Sequence, residues 1–291
     1  LKSNNEINAL LQLLDDPDDE IYESVSEKIL HYGHEIIPNL ESMWEHTTDM
    51  EVQERIENLI HKVNFNAVFD GFKTWFQAEK PSLLTGAILM SRFNFAEIDE
   101  TELRKTIKRV YQSCWLELNN YLTPLEQINI VNSIFYSMYK FKGFELDANI
   151  PNHFFINEVV QSKMGNNYSL GIVYQILCEM LDIPVYMVQL PRQCLLAYYD
   201  ALHDFFNLEK NPVKKIQFYI DPSSGAIYTQ NDVNAYLNKY ELEANEYTYL
   251  PLSNKDIVCN SLAALSFVYE EMGEHFKHDE LNQLVELRYK Y

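Results

Sequence analysis

The stretch from Phe154 to Asp221 does most to limit what this chain can become, because it sets one apolar helix directly before a run of strands. Asn157-Glu158-Val159-Val160 leads through Lys163-Met164-Gly165-Asn166-Asn167-Tyr168-Ser169-Leu170 into that helix, which ends at Asp182-Ile183-Pro184. Val185 to Leu190 reads as a strand and Pro191-Arg192 as a turn. Gln193 to Tyr199 reads as a second strand, and Phe218-Tyr219-Ile220-Asp221 as a third that stops at Pro222. Apolar alternation and β-branched residues cluster only here. β structure is therefore expected between residues 184 and 228, and almost entirely helical structure before Asn152.

The helical pattern extends on both sides. Leu83, Leu84, Ala87, Ile88 and Met90 share an apolar face, and Leu103, Ile107, Val110, Cys114 and Leu118 recur at helical spacing across 102–121. Pro124 sits where a first helical turn tolerates it, opening a helix to Tyr139, and Phe141-Lys142-Gly143-Phe144 marks a stop at Gly. Ser253-Asn254-Lys255-Asp256 is a cap for a final hairpin over 257–272 and 279–289.

Near the N-terminus, Glu20-Ile21-x-Glu23-x-Val25 recurs as Glu51-Val52-x-Glu54-x-Ile56, and Ile37 with Trp44 recurs at the same offset as Val68 with Trp75. Such a period points to stacked helix pairs, here 5–14, 18–32, 34–46, 49–62 and 65–77, with Trp44 and Trp75 in equivalent places. Two pairs alone leave apolar faces uncovered, so the array is expected to dock on the rest of the chain. The run from Leu10 to Asp18 resembles the opening of a HEAT-type repeat, with an Asp-Pro turn ending one helix and an acidic start to the next.

The order of elements in 154–221 resembles the transglutaminase-like superfamily, and most closely its SirB branch, over residues 83–228. The resemblance implies an α+β fold: a mostly helical, papain-like cysteine-protease-type core with a small antiparallel sheet. In active members a Cys opens the helix, a His begins the following strand pair and an Asp lies on the next strand; the matching positions here are Asn167, Gln193 and Asp221. The SirB branch commonly lacks the Cys already, while Pro-Gly-His-Phe supplies its His; this chain reads Pro191-Arg192-Gln193-Cys194. The Gly143-Phe144 step matches the family's Gly-Phe junction. Asn157 matches an Asn of the SirB pattern before the loop that holds Gly165, as a ligand contact or as a tie on that loop.

The superfamily's choice of a helix start has a physical reason. Unsatisfied backbone N–H groups there lower a thiol pKa and can hold an oxyanion. Asn167 has no nucleophilic atom, and its expected role is to bond free backbone donors. Two displaced nucleophiles compete for the role: Ser169, whose hydroxyl also suits a first-turn structural bond, and Cys194, which strand alternation aims away from the expected site. Asp221 has lost the His it would orient, and Asp221-Pro222-Ser223-Ser224-Gly225 reads equally as a turn with its own side-chain bond. If the three matched positions converge, Gln193 should donate to Asp221 and accept from the Asn167 side. His31 with His34, and His275 with His278, share helix faces without a third and fourth ligand at metal spacing. His153 and His203 stand alone, the latter in an insertion over 200–215.

Composition narrows the partners. The net charge of −20, from 43 acidic and 23 basic side chains, opposes phosphate backbones and anionic lipid, so neither nucleic acid nor membrane is expected. Cys114, Cys178, Cys194 and Cys259 form no Cys-x-x-Cys pair, which suits reduced thiols in a cytoplasm. No phosphate loop or cofactor motif is present, so no cofactor is expected. The first residues lack a signal-peptide layout, and a start at Leu1 leaves room for a removed upstream segment. The expected organisation is a HEAT-like helical region over 1–78, a SirB-type transglutaminase-like core over 79–252 and a helical hairpin over 253–291. The expected function is a non-catalytic, protein-binding or scaffolding module; the alternative is a cysteine or serine hydrolase or acyltransferase using Ser169 or Cys194.

Overall fold

The computed structural model describes residues 2–14, 18–144, 150–200, 212–245 and 247–290. The protein is mostly helical with small sheets, and it divides into two compact units, Leu1–Thr74 and Trp75–Tyr291. Among the described residues no helix is long and apolar enough to cross a membrane.

The first unit holds α1 (Lys2–Gln12), α2 (Asp19–Leu30), a 3-10 turn (Gly33–Ile36), α3 (Ile37–His46) and most of α4 (Met50–Gln77). Its core is a set of helical stripes, with Val52, Ile56, Leu59 and Val63 of α4 meeting Leu14, Ile29, Ile36 and Leu40. The Asp18 side chain caps α2 by accepting from the Glu20 amide. The sequence repeat does not become a structural one, because α4 is a single helix where two were expected. Nothing between Ile60 and Phe65 can stop it: the segment contains neither Gly nor Pro. Trp44 and Trp75 accordingly differ. Trp44 is exposed and donates to Glu57 Oε1 at 2.9 Å, whereas Trp75 is buried and donates to the Ser82 carbonyl at 2.9 Å.

The second unit continues with α5 (Leu83–Arg92), α6 (Glu100–Glu117) and α7 (Pro124–Asn132), which runs on as a π-helical turn (Ser133–Met138). Thr123 and Glu126 close a capping box around Pro124. A 3-10 turn (Pro151–Phe154) and α8 (Ile156–Ser162) lead to α9 (Asn167–Met180). Two short strands, β1 (Lys142–Gly143) and β2 (Met164–Gly165), pair in parallel. They lie outside the window in which strands were expected, and they are too short to carry the alternation by which a strand is recognised.

The main sheet is antiparallel in the order β3 (Val185–Leu190), β4 (Gln193–Tyr199), β5 (Ile216–Ile220) and β6 (Ile227–Tyr228). One face packs on α9. A Cβ at Gly171 would lie 3.1 Å from Met187 Cε and 3.2 Å from its Sδ, tighter than an ordinary contact. The other face, with Val188, Leu190, Leu195, Ala197, Tyr199 and Tyr219, packs on Val233 and Leu237 of α10 (Gln230–Lys239). The outer edge of β3 is covered: Gln175 Oε1 accepts from the Met187 amide at 2.8 Å, and the Leu252 amide donates to the Met187 carbonyl at 2.9 Å. The chain ends in a hairpin of α11 (Asn254–Glu271), capped by Ser253 as its sequence suggests, and α12 (His275–Lys290).

Candidate functional site

The start of α9 is built by a capping box one residue before the matched position. Asn166 Oδ1 accepts from the Ser169 amide at 2.9 Å, and Ser169 Oγ accepts from the Asn166 amide at 3.0 Å. Asn166, not Asn167, therefore bonds the free donors, since only the residue preceding the first helical turn can reach back to its third amide. Asn167 is the first residue of α9 and its side chain has no hydrogen-bond partner among the described residues. Gly165 makes the close fit possible: a Cβ there would lie 2.6 Å from Ser169 Oγ.

Ser169 is 2% exposed, and its hydroxyl donates to the His153 carbonyl at 2.6 Å. A buried hydroxyl bonded to backbone on both sides has no base to activate it and no access to substrate. Cys194 is fully buried, and burial pushes its thiol up to about 12. All four cysteines are free and buried.

Strand register corrects the expected direction of Gln193 and Cys194. Leu190 pairs with Gln193 and Val188 with Leu195, placing Gln193 on the α10 side of the sheet. Cys194 pairs with Gln189, whose Oε1 accepts from Tyr168 of α9 at 3.2 Å, so Cys194 lies on the α9 side. Gln193 stands at the end of its strand and borders two spaces. One is a cleft of 380 Å³ with Asn167, Tyr168, His153, Arg192 and Cys194 on its wall; the other, of 260 Å³, lies against Asp221, Tyr228 and Tyr236.

Asp221 is spent on its own turn. Oδ1 accepts from the Ser223 amide at 2.8 Å and from Ser223 Oγ at 2.7 Å, and Oδ2 accepts from Ser224 Oγ at 2.9 Å. The turn is clamped from outside. Asn132 donates to the Gly225 carbonyl at 2.8 Å while accepting from Tyr174, and Tyr136 donates to the Pro222 carbonyl at 2.9 Å. Gly143 meets the same turn through its amide, 2.8 Å from the Ser223 carbonyl. The expected chain from Asn167 through Gln193 to Asp221 is thus not formed: Gln193 shares one space with each of the others, but no hydrogen bond joins them among the described residues.

His153 was not read as part of the site, and the structure puts it there. Its ring stacks on Phe144 at 3.8 Å, its Nδ1 is buried without a partner, and burial lowers its pKa so that it is neutral. Its place in sequence, before α8, gave no sign of this; its backbone carbonyl, which accepts from Ser169 Oγ at 2.6 Å and from the Asn166 amide at 3.4 Å, ties it to the α9 start. Asn157 lines a separate 610 Å³ cavity with Glu97, Glu102 and Lys163, not the cleft of Asn167. His278 is tied within the final hairpin, its Nδ1 at 3.0 Å from Ser266 Oγ and its Nε2 at 2.9 Å from Asn282. Among the described residues no group of His, Cys, Asp or Glu is arranged to hold a metal. His203 lies outside the described residues.

A helix start facing the first strand pair of an antiparallel sheet, with the third strand ending at Ile220 just before Asp221, is the frame on which the comparisons bear. No curated protein and no solved structure matches the chain. The model of the transglutaminase-like superfamily matches residues 101–263, from α6 into α11, and the chain belongs to that superfamily.

Proposed function

We propose that this protein is a non-catalytic member of its superfamily, of the SirB branch, which serves as a binding module for a protein partner in the cytoplasm. One observation carries the reading: the first residue of α9, where active relatives of this fold keep a thiol, is Asn167. The substitutes fare no better, because the Ser169 hydroxyl is buried and bonded to backbone, and the Cys194 thiol is held protonated by burial. Asp221 has no histidine to orient and is occupied by Ser223 and Ser224. Four free, buried thiols suit a reducing compartment. The net charge of −20 favours a basic partner surface over nucleic acid or anionic lipid.

The test is labelling of the native protein with a fluorophosphonate and, separately, with iodoacetamide at neutral pH. Neither reagent should modify any residue rapidly. Fast stoichiometric reaction at Ser169 or Cys194 would instead make the chain a hydrolase or acyltransferase with a displaced nucleophile.

A further inference from the structure

The cleft at the start of α9 differs in charge from two other cavities of the protein. In a chain with 43 acidic and 23 basic side chains, none of the described residues that line it is acidic, whereas the other cavities carry Glu97, Asp99, Glu102 and Glu158 in one case and Asp221 and Asp232 in the other. Its polar lining includes Arg192, Asn167, Gln193 and His153, besides Asn166 and Tyr168, which are bonded within the protein. The side chains of Arg192, Asn167 and Gln193 have no hydrogen-bond or ionic partner among the described residues. The His153 Nδ1 is likewise buried and unpartnered. Arg192 is held at the tip of the β3–β4 hairpin with φ of 70°. Its apolar lining is Phe144, Ile150, Phe154, Phe267 and Val268, with Phe144 stacked on the His153 ring. Phe267 stays 55% exposed although it borders this space.

We propose that this cleft binds a carboxylate borne on an apolar group, with the carboxylate on Arg192 and Asn167 and the apolar group against Phe144, Phe154 and Phe267. The inference rests on the non-catalytic reading and names the ligand class of the same cleft. A guanidinium without a protein partner matches a carboxylate with two parallel hydrogen bonds. No described residue of the lining is acidic, so the lining itself adds nothing to the repulsion that a net charge of −20 sets up against such a ligand. A volume of 380 Å³ suits a small molecule or one terminal residue of a peptide, not a long segment. Free aryl or alkyl carboxylates and the C-terminus of a peptide ending in an apolar residue share this chemistry.

The experiment is calorimetric titration of the whole chain with 3-phenylpropionate, with its neutral amide 3-phenylpropanamide, and with acetyl-glycyl-phenylalanine. The acid should bind about tenfold tighter than the amide, the ratio that one charge-assisted contact supports. Arg192→Asn, which keeps a residue tolerant of positive φ, should weaken the acid about tenfold and leave the amide unchanged. Asn167→Asp, favourable for the helix, places a like charge in the cleft and should weaken the acid by a similar factor. Stronger binding of the dipeptide identifies a peptide terminus as the source, and stronger binding of the free acid identifies a small metabolite; each supports the site. Equal binding of acid and amide, no binding of either, or wild-type affinity in both variants overturns it. Rapid iodoacetamide labelling of Cys194 alongside the predicted acid selectivity would remove the non-catalytic reading and leave the site standing.

Discussion

The start of α9 and the turn after β5 are made of nearly the same materials, Asn-Asn-Tyr-Ser in one and Asp-Pro-Ser-Ser in the other, and they use them in opposite ways. At the helix start the bonding is done by Asn166 and Ser169, which leaves the side chain of Asn167 on the wall of a cleft without a hydrogen bond among the described residues. In the turn the bonding is done by Asp221 itself, which takes Ser223 and Ser224. The difference teaches that similar polar residues are consumed or left over according to which backbone donors are still unsatisfied. An acidic side chain beside hydroxyls and amides was absorbed into structure, whereas an amide just past a complete capping box had no donor left to satisfy.

Alkaline pH should have the largest effect, and buried groups on both sides carry it: Cys194 and Tyr168 at the helix start, Tyr136 and Tyr174 at the turn. Burial holds the Cys194 thiol up to about 12 against an ordinary 9.0, and Tyr168 up to about 12 against 10.0. The folded form keeps these protons to higher pH than the unfolded chain does, so their stabilisation is complete below pH 9 and is lost as pH rises toward 12. Urea midpoints between pH 7 and 11 should fall along that window, and less steeply in Cys194→Ala. An equally steep fall in Cys194→Ala would mean that this thiol is accessible.

The turn should be the costlier region to mutate. A Cβ at Gly143 would overlap the Cβ of Ser223, so Gly143→Ala should cost about 3 kcal/mol by urea unfolding. Asp221→Ala removes three bonds to a carboxylate and should cost about 2 kcal/mol. At the helix start, Asn166→Ala should cost about 1 kcal/mol, the usual loss of an N-cap. Asn167→Ala should stay within about 0.5 kcal/mol, as at an unbonded surface position. An Asn167→Ala cost equal to that of Asn166→Ala would erase the contrast between the regions.

Much of the frame is written locally. Thr123-Pro124-x-Glu126 and Ser253-x-x-Asp256 cap helices wherever they occur, because every bond they make lies within four residues. The α9 boundary at Asp182-Ile183 is equally local, with the Ile183 amide bonded to the Cys178 carbonyl at 2.9 Å. The repeated motif at Glu20 and Glu51 misled, because a period in the pattern says which faces are apolar and not whether the helix is interrupted. α4 runs through the expected break for want of a Gly or Pro.

The sequence by itself determined the mostly helical segment before Asn152, the cluster of strands between residues 184 and 228, and the helix caps, since all of these rest on neighbouring residues. Only the tertiary structure decided which side of the sheet Gln193 and Cys194 face, because a strand's two faces are named by what packs on them and not by its own alternation. It alone brought His153 to the α9 start, through bonds from Ser169 and the Asn166 amide to a backbone carbonyl, which carries no side-chain signature. It alone closed the turn at Asp221, where the clamp comes from Asn132, Tyr136 and Gly143, far away in the chain, and sequence distance hides such partners until the core has packed.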